Sequence, residues 1–275
     1  MRRFALALLA LCLFNLVGCI DYREQLTLKK DGSGSLRVDF LLNLEVMNEI
    51  SKVLGEKPDP EATQGPSEKE IKRNLKVKGI TVRELKVRYK GTKTKVHIVL
   101  DFDTLATLRK IEGFGNDRKL EFFEGGKGKA DKAWVIYTLD TKDVIPLEEF
   151  GGEPPRPGEK RDPIEVKLAE ITQRAQDSVK FRAKITLPGK IHDSNGKAPK
   201  KPNDKTKVWI VDKKTDPKRH KRLGRGKLFF RMLVDKSSLG FVKSYKPLPK
   251  KVQDRRKGKA GEKGHKDHKE HKGHR

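Results

Sequence analysis

Cysteine is nearly absent from this chain. Its two cysteines, Cys12 and Cys19, both lie within the first nineteen of 275 residues. The rest of the chain is therefore left without a disulfide framework, a cysteine-based zinc cluster or a cysteine nucleophile. Long apolar runs are missing too. The longest, Phe4 to Phe14, has eleven residues, well short of the roughly 20 that span a bilayer as a helix. With 34% hydrophobic against 37% charged residues, the chain is no polytopic membrane protein, but it can bury one core of ordinary size. Acidic residues are scarce where basic ones are abundant: positions 191–275 carry 28 basic residues against nine acidic ones. No repeat of fixed period is found.

What is present begins with an address. Met1-Arg2-Arg3 is a basic leader, the apolar run follows, and Leu16-Val17-Gly18-Cys19 closes the segment. This is a signal-peptide pattern over 1–18. The four closing residues resemble the bacterial lipobox at each position. That resemblance implies a diacylglycerol on the Cys19 sulfur, an N-acyl chain on its new terminus, and lipid anchoring to a membrane of the bacterial cell envelope on its extracytoplasmic side. Two or more acyl chains convert marginal adhesion into stable attachment. A soluble body on a lipid tether is expected.

The mature chain reads as an α+β domain over 19–235, mostly antiparallel sheet built from hairpins with a few helices packed on it. Alternating apolar positions predict hairpins at 22–42 around Asp31-Gly32-Ser33-Gly34-Ser35, at 80–102 around Lys90-Gly91-Thr92, and at 120–139 around Gly125-Gly126-Lys127-Gly128. A phase slip between Val82 and Leu85 predicts a bulge. The spacing of Leu44, Met47, Ile50, Val53 and Leu54 predicts a helix up to Gly55. Ser67 with Glu70 predicts a capping box for a second helix, closed by Gly79. Asp103 is expected to cap a short helix carrying Leu105, Leu108 and Ile111. The stretch 151–163, with four prolines, reads as a linker or insertion. Asp162-Pro163 with Glu165 then starts a helix whose stripe is Ile164, Leu168, Ile171 and Ala175. A strand follows with Val179, Phe181, Ala183, Ile185 and Leu187 inward, and 207–212 and 227–235 are the last strand candidates. From 236 to 275 composition predicts a disordered Lys/His-rich tail.

Three features stand together: Cys19 followed closely by Asp31-Gly32-Ser33-Gly34-Ser35, the element Val99-Leu100-Asp101-Phe102-Asp103-Thr104-Leu105, and Leu187-Pro188-Gly189-Lys190-Ile191 with Asn195-Gly196 and Trp209. In this they resemble the LppM-like family of bacterial envelope lipoproteins. The resemblance covers roughly 19–212. It implies a mixed α/β envelope domain, lipid or glycolipid binding as proposed for some members, and no established enzymatic activity. Many relatives end in a transmembrane helix, whereas this chain ends in a basic segment, and 151–163 looks inserted.

Chemical motifs are few. His192-Asp193-Ser194 has the residue types of a hydrolase triad, but neighbours in an extended loop point to alternate sides, so a polar turn is expected. Gly125 to Gly128 lacks the spacing and the Ser or Thr of a phosphate loop. Asp101 and Asp103 are read as structural carboxylates and His97 as a sheet histidine. His265, His268, His271 and His274 recur at intervals of three with lysines between them. Imidazoles in a flexible chain can wrap zinc, copper or nickel, although the lysine charges oppose it. Lys250, Lys251, Arg255, Arg256, Lys257 and Lys259 have a plainer use, as contacts for anionic lipids or envelope polymers. Nucleic acid would bind the same charges without sequence preference, but export argues against it as a biological partner.

The leading reading is a non-enzymatic, membrane-anchored envelope lipoprotein that binds lipid or another anionic envelope component through an interaction surface or apolar groove. An envelope-acting enzyme with an unrecognised site, or a metal-binding lipoprotein acting through the tail histidines, are the rivals.

Overall fold

A computed structural model describes residues 20–57, 65–111, 118–141, 162–198, 204–223 and 226–249. These form two sheets packed face to face, with helices at the margins. The three predicted hairpins form. Strands β1 (Asp21–Leu28) and β2 (Gly34–Asn43) pair antiparallel with Leu26 opposite Leu36, because alternate residues on both are apolar and Gly32, at φ +85°, closes the turn. Helix α1 (Glu45–Val53) follows, then α2 (Glu68–Asn74), whose Ser67–Glu70 capping box is complete. Helix α2 stops at Asn74, short of Gly79, which instead turns the chain into β3 at φ +87°.

Strands β3 (Ile80–Lys90) and β4 (Lys93–Phe102) form the second hairpin, and their register shifts between Val82 and Glu84, where the phase slip placed a bulge. Next, α3 is a single turn (Leu105–Leu108), capped by Thr104 accepting from the Thr107 N–H rather than by Asp103. Asp103 is one residue too early to reach the N3 amide. The third hairpin is β5 (Arg118–Glu124) with β6 (Lys132–Asp140). Helix α4 (Pro163–Ser178) starts on Asp162, which accepts from the Ile164 N–H, and not on a box with Glu165. Its buried face is Ile171, Thr172, Ala175 and Gln176, while Ile164 is 46% exposed. The stripe therefore serves only the C-terminal half of this helix.

Strand β7 (Lys180–Thr186) buries Phe181, Ala183 and Ile185 as its alternation predicts, with Val179 and Leu187 buried at its two ends. Strand β8 (Ile191–Ser194) forms where a polar turn was expected, pairing with β10 (Lys227–Asp235). After β9 (Thr206–Val211) and the one-turn α5 (Pro217–His220), β10 (Lys227–Asp235) completes the set. One sheet has the order β3-β4-β2-β1-β7-β9 and the other β5-β6-β10-β8. Among the described strands every pairing is antiparallel except β1 with β7, which is parallel.

The inner faces meet in an aromatic layer. Phe230 of β10 lies 5.8 Å from Phe181, 5.9 Å from Tyr137 and 5.2 Å from Trp209, ring centre to ring centre, and Phe181 stacks on Tyr22 at 5.4 Å. Such offset and tilted contacts fill the gap between sheets at interior density. Packing does not end at Asp235. A 3₁₀ turn (Lys236–Ser238) leads into buried Leu239, and Phe241 meets Phe122 edge to face at 5.5 Å. Farther along, the Glu124 and Lys246 amides donate to the Lys246 and Phe122 carbonyls, and Leu248 packs beside Phe123 and Trp134. The boundary at 235 is thus corrected: residues 236–249 strap the second sheet. Composition concealed this, because Leu239, Phe241, Val242, Tyr245 and Leu248, scattered among serines, lysines and prolines, suffice when a hydrophobic sheet face awaits them.

Candidate functional site

The residues singled out as sites from the sequence, Leu16, Val17, Gly18 and Cys19 at one end and Lys250, Lys251, Arg255, Arg256, Lys257, Lys259, His265, His268, His271 and His274 at the other, lie outside the described residues, as does most of the 151–163 stretch. Their neighbourhood is nevertheless informative. Ile20, bonded directly to Cys19, is 8% exposed, and its carbonyl accepts from the Lys180 N–H at 2.7 Å. Strand β1 thus begins two residues after Cys19, which leaves little length for the tether expected there.

The interior candidates fall out as follows. His192 Nε2 meets the Asp235 carboxylate, 2.9 Å from both oxygens, and Lys132 Nζ joins at 3.0 Å. Ser194 Oγ donates instead to the Gly196 carbonyl. His192 and Ser194 thus serve different partners and form no relay. The His192 hydrogen bond, followed by that of Lys132, holds the Asp235 carboxyl below its ordinary value. Gly126 and Gly128, at φ +88° and +73°, turn a hairpin. Asp101 pairs with Arg83 across β3 and β4. His97 sits on the outer face of the larger sheet with Nδ1 at 2.6 Å from Asp39 and Nε2 at 3.5 Å from Glu84. Partial burial pushes the Asp39 carboxyl up, but hydrogen bonds from Arg37 and His97 outweigh it and leave the group below its usual range. Among the described residues no three His, Cys, Asp or Glu side chains group as metal ligands.

One cluster escaped the sequence reading. Glu24 occupies an inward position of β1 and is 2% exposed. Tyr22 Oη donates to its Oε2 at 2.8 Å, Arg118 Nε donates to the same oxygen at 3.0 Å, and Tyr137 Oη donates to Oε1. Arg118 Nη2 also donates to Tyr22 Oη at 2.6 Å. Burial, reinforced by the adjacent carboxylate, drives both phenols well above their ordinary values. Burial works against the Arg118 cation, but the Tyr22 and Glu24 oxygens beside it keep it firmly charged. The signal for this site was the alternation Tyr22, Glu24, Leu26, Leu28: a carboxylate in phase with apolar residues needs a cation from elsewhere in the fold.

Glu24 satisfies the geometry of a buried ion pair rather than of a catalytic base, because both oxygens are already occupied. The cleft beside it, walled by Leu26, Leu36, Leu105, Leu108, Arg109 and Leu120, encloses about 30 Å³. That is room for a water and not for an acyl chain. A larger open concavity of about 700 Å³ lies between α1 and the Lys90–Lys93 turn, and it is lined by Glu45, Asn48, Glu49, Lys52 and the turn itself. No helix among the described residues is long and apolar enough to cross a membrane.

No protein-family model matches this sequence, and no curated protein matches it. Among solved structures, the chain is similar to the NMR structure of the folded domain of the Mycobacterium tuberculosis LppM protein, with 11% identity, a TM-score of 0.40, and coverage of 80% of this chain and 91% of that one.

Proposed function

We propose that this chain is a non-enzymatic envelope lipoprotein, held to a membrane by acyl chains on Cys19, whose domain and basic C-terminal segment contact anionic envelope material. The observation that carries this reading is the junction at Ile20. Cys19 is bonded to Ile20, which is buried and hydrogen-bonded to Lys180 immediately before β1 begins at Asp21, the arrangement expected if Cys19 is the mature terminus and the domain begins there. The closed ion-pair cluster at Glu24 and the filled space between the sheets favour contact through exposed charge over turnover of a bound substrate.

The test is fractionation of cells producing the wild type and Cys19→Ala, with mass spectrometry of the purified protein. The wild type should sediment with membranes and carry the mass of its acyl chains; Cys19→Ala should accumulate as unprocessed precursor or leave the membrane fraction. A wild-type protein that is soluble and lacks acyl mass would sink the reading. Lipid mass spectrometry of the purified protein should find no stoichiometric lipid beyond the covalent chains.

A further inference from the structure

Strand register fixes which part of the domain lies beside Cys19. In the larger sheet, Asp21 at the start of β1 is level with Leu41, Leu41 with Lys95, Lys95 with Arg88, and on the other side Asp21 is level with Lys180. One row across five strands therefore reads Arg88, Lys95, Leu41, Asp21, Lys180. At ~4.8 Å between strands the row is about 19 Å wide. Just below it, at the β3–β4 turn, Lys90 is opposite Lys93. All five cations are exposed, and none has an ion-pair partner among the described residues. Three acidic groups at this end are engaged, Asp21 by Arg23 at 2.7 Å, Asp177 by Lys213, and Glu49 by Arg174 at 2.6 Å, while Glu45, which shares a concavity with Lys90 and Lys93, accepts from the Asn43 amide.

We infer that this end of the sheet, Arg88, Lys90, Lys93, Lys95 and Lys180, docks on anionic phospholipid headgroups and sets the orientation of the domain on its membrane. The inference rests on the anchoring at Cys19. Consecutive Cα atoms are about 3.8 Å apart, so a lipidated Cys19 holds the Asp21–Lys180 part of this row within about 10 Å of the headgroups, with Lys95 and Arg88 two and three strands farther along it. At that range each Lys or Arg is attracted by the negative surface, and the attraction is lost within a Debye length. The turn between β1 and β2 lies at the far end of an eight-residue strand, about 26 Å away, too far for the same field to act. Charge complementarity and the length of the connection thus point to the same occupant.

The experiment uses the full lipidated chain reconstituted in vesicles of phosphatidylcholine alone or with phosphatidylglycerol, both doped with nitroxide-labelled lipid. Once Cys12 has been removed with the signal peptide and Cys19 acylated, a single new cysteine can carry a fluorophore: Lys214→Cys beside the row, or Lys30→Cys at the opposite end. Quenching of the Lys214 label should rise when phosphatidylglycerol is added and fall again with salt, while the Lys30 label stays unquenched. Converting Arg88, Lys93, Lys95 and Lys180 to Glu should abolish that rise, with the docked-to-undocked ratio falling about fivefold for each charge removed. The response of the wild type to lipid composition needs no variant, so a folding defect in the quadruple variant cannot obscure the result. Equal quenching of the Lys214 label in both vesicle types, with the protein still co-floating and acylated, would overturn the inference alone. Loss of both flotation and acyl mass would overturn the anchoring and the inference together.

Discussion

Glu24 and Arg118 show what one pair of residues costs and stabilises. Two charges taken from water are expensive, and the pair persists because Tyr22 and Tyr137 satisfy the remaining lone pairs of the carboxylate. Removing one partner leaves the other uncompensated. Arg118→Met should therefore destabilise the domain by about 3–5 kcal/mol, read as a fall in the urea midpoint. An unchanged midpoint would mean that water reaches Glu24. Acid sensitivity has a separate source. Asp39 and Asp235 have their carboxyls held below the ordinary value in the folded state. As pH falls through about 4, the unfolded chain takes up protons first, so stability declines from there downward and is fully present above it. The replacement His192→Ala should flatten that acid decline, since it removes the first cause of the Asp235 shift; an unchanged decline would show that Lys132 dominates instead.

At the scale of elements, two connections decide how the sheets meet. Asn195, just past β8, accepts from Trp209 Nε1 of the larger sheet at 2.9 Å and from the Arg231 N–H of the smaller one at 2.8 Å, and its own amide donates to the Phe229 carbonyl. Gly196 follows because a Cβ there would stand 2.5 Å from the Trp209 ring. Asn195→Ala strands the buried indole N–H and should cost about 1–3 kcal/mol, visible as a shifted tryptophan emission and a lower thermal midpoint. The strap at 236–249 is the second connection. Phe241 covers Gly32, where a Cβ would come within 2.8 Å of its ring, and Leu239 is 1% exposed. Truncation after Asp235 should lower the thermal midpoint by many degrees, and Leu239→Ala alone by the equivalent of about 2–5 kcal/mol. Truncation after Pro249 should leave it nearly unchanged; a large drop there would extend the packed segment further.

For the whole molecule, the chain beyond Pro249 is a second concentration of positive charge, with 11 basic residues against four acidic ones. A peptide spanning 250–275 should bind vesicles containing phosphatidylglycerol with an affinity that falls steeply with salt, ignore neutral vesicles, and tolerate replacement of His265, His268, His271 and His274. Attachment that resists salt and requires zinc would favour the metal reading instead, and it would weaken below about pH 6.5 as the imidazoles protonate.

The sequence alone determined the three hairpins, the bulge near Val82 and the capping box at Ser67, because each depends on residues within a few positions of one another. Alternation, a turn glycine or a cap acts locally, so its signal is written locally. Tertiary structure decided the parallel pairing of β1 with β7, the division into two sheets, the strand at His192 and the strap that follows Asp235. These depend on partners far along the chain: Arg118 reaches Glu24 across 94 positions and Lys246 reaches Glu121 across 125. A short polar segment such as 191–194 becomes a strand only when β10 offers its free edge, and Leu239 is buried only once a sheet exists to receive it.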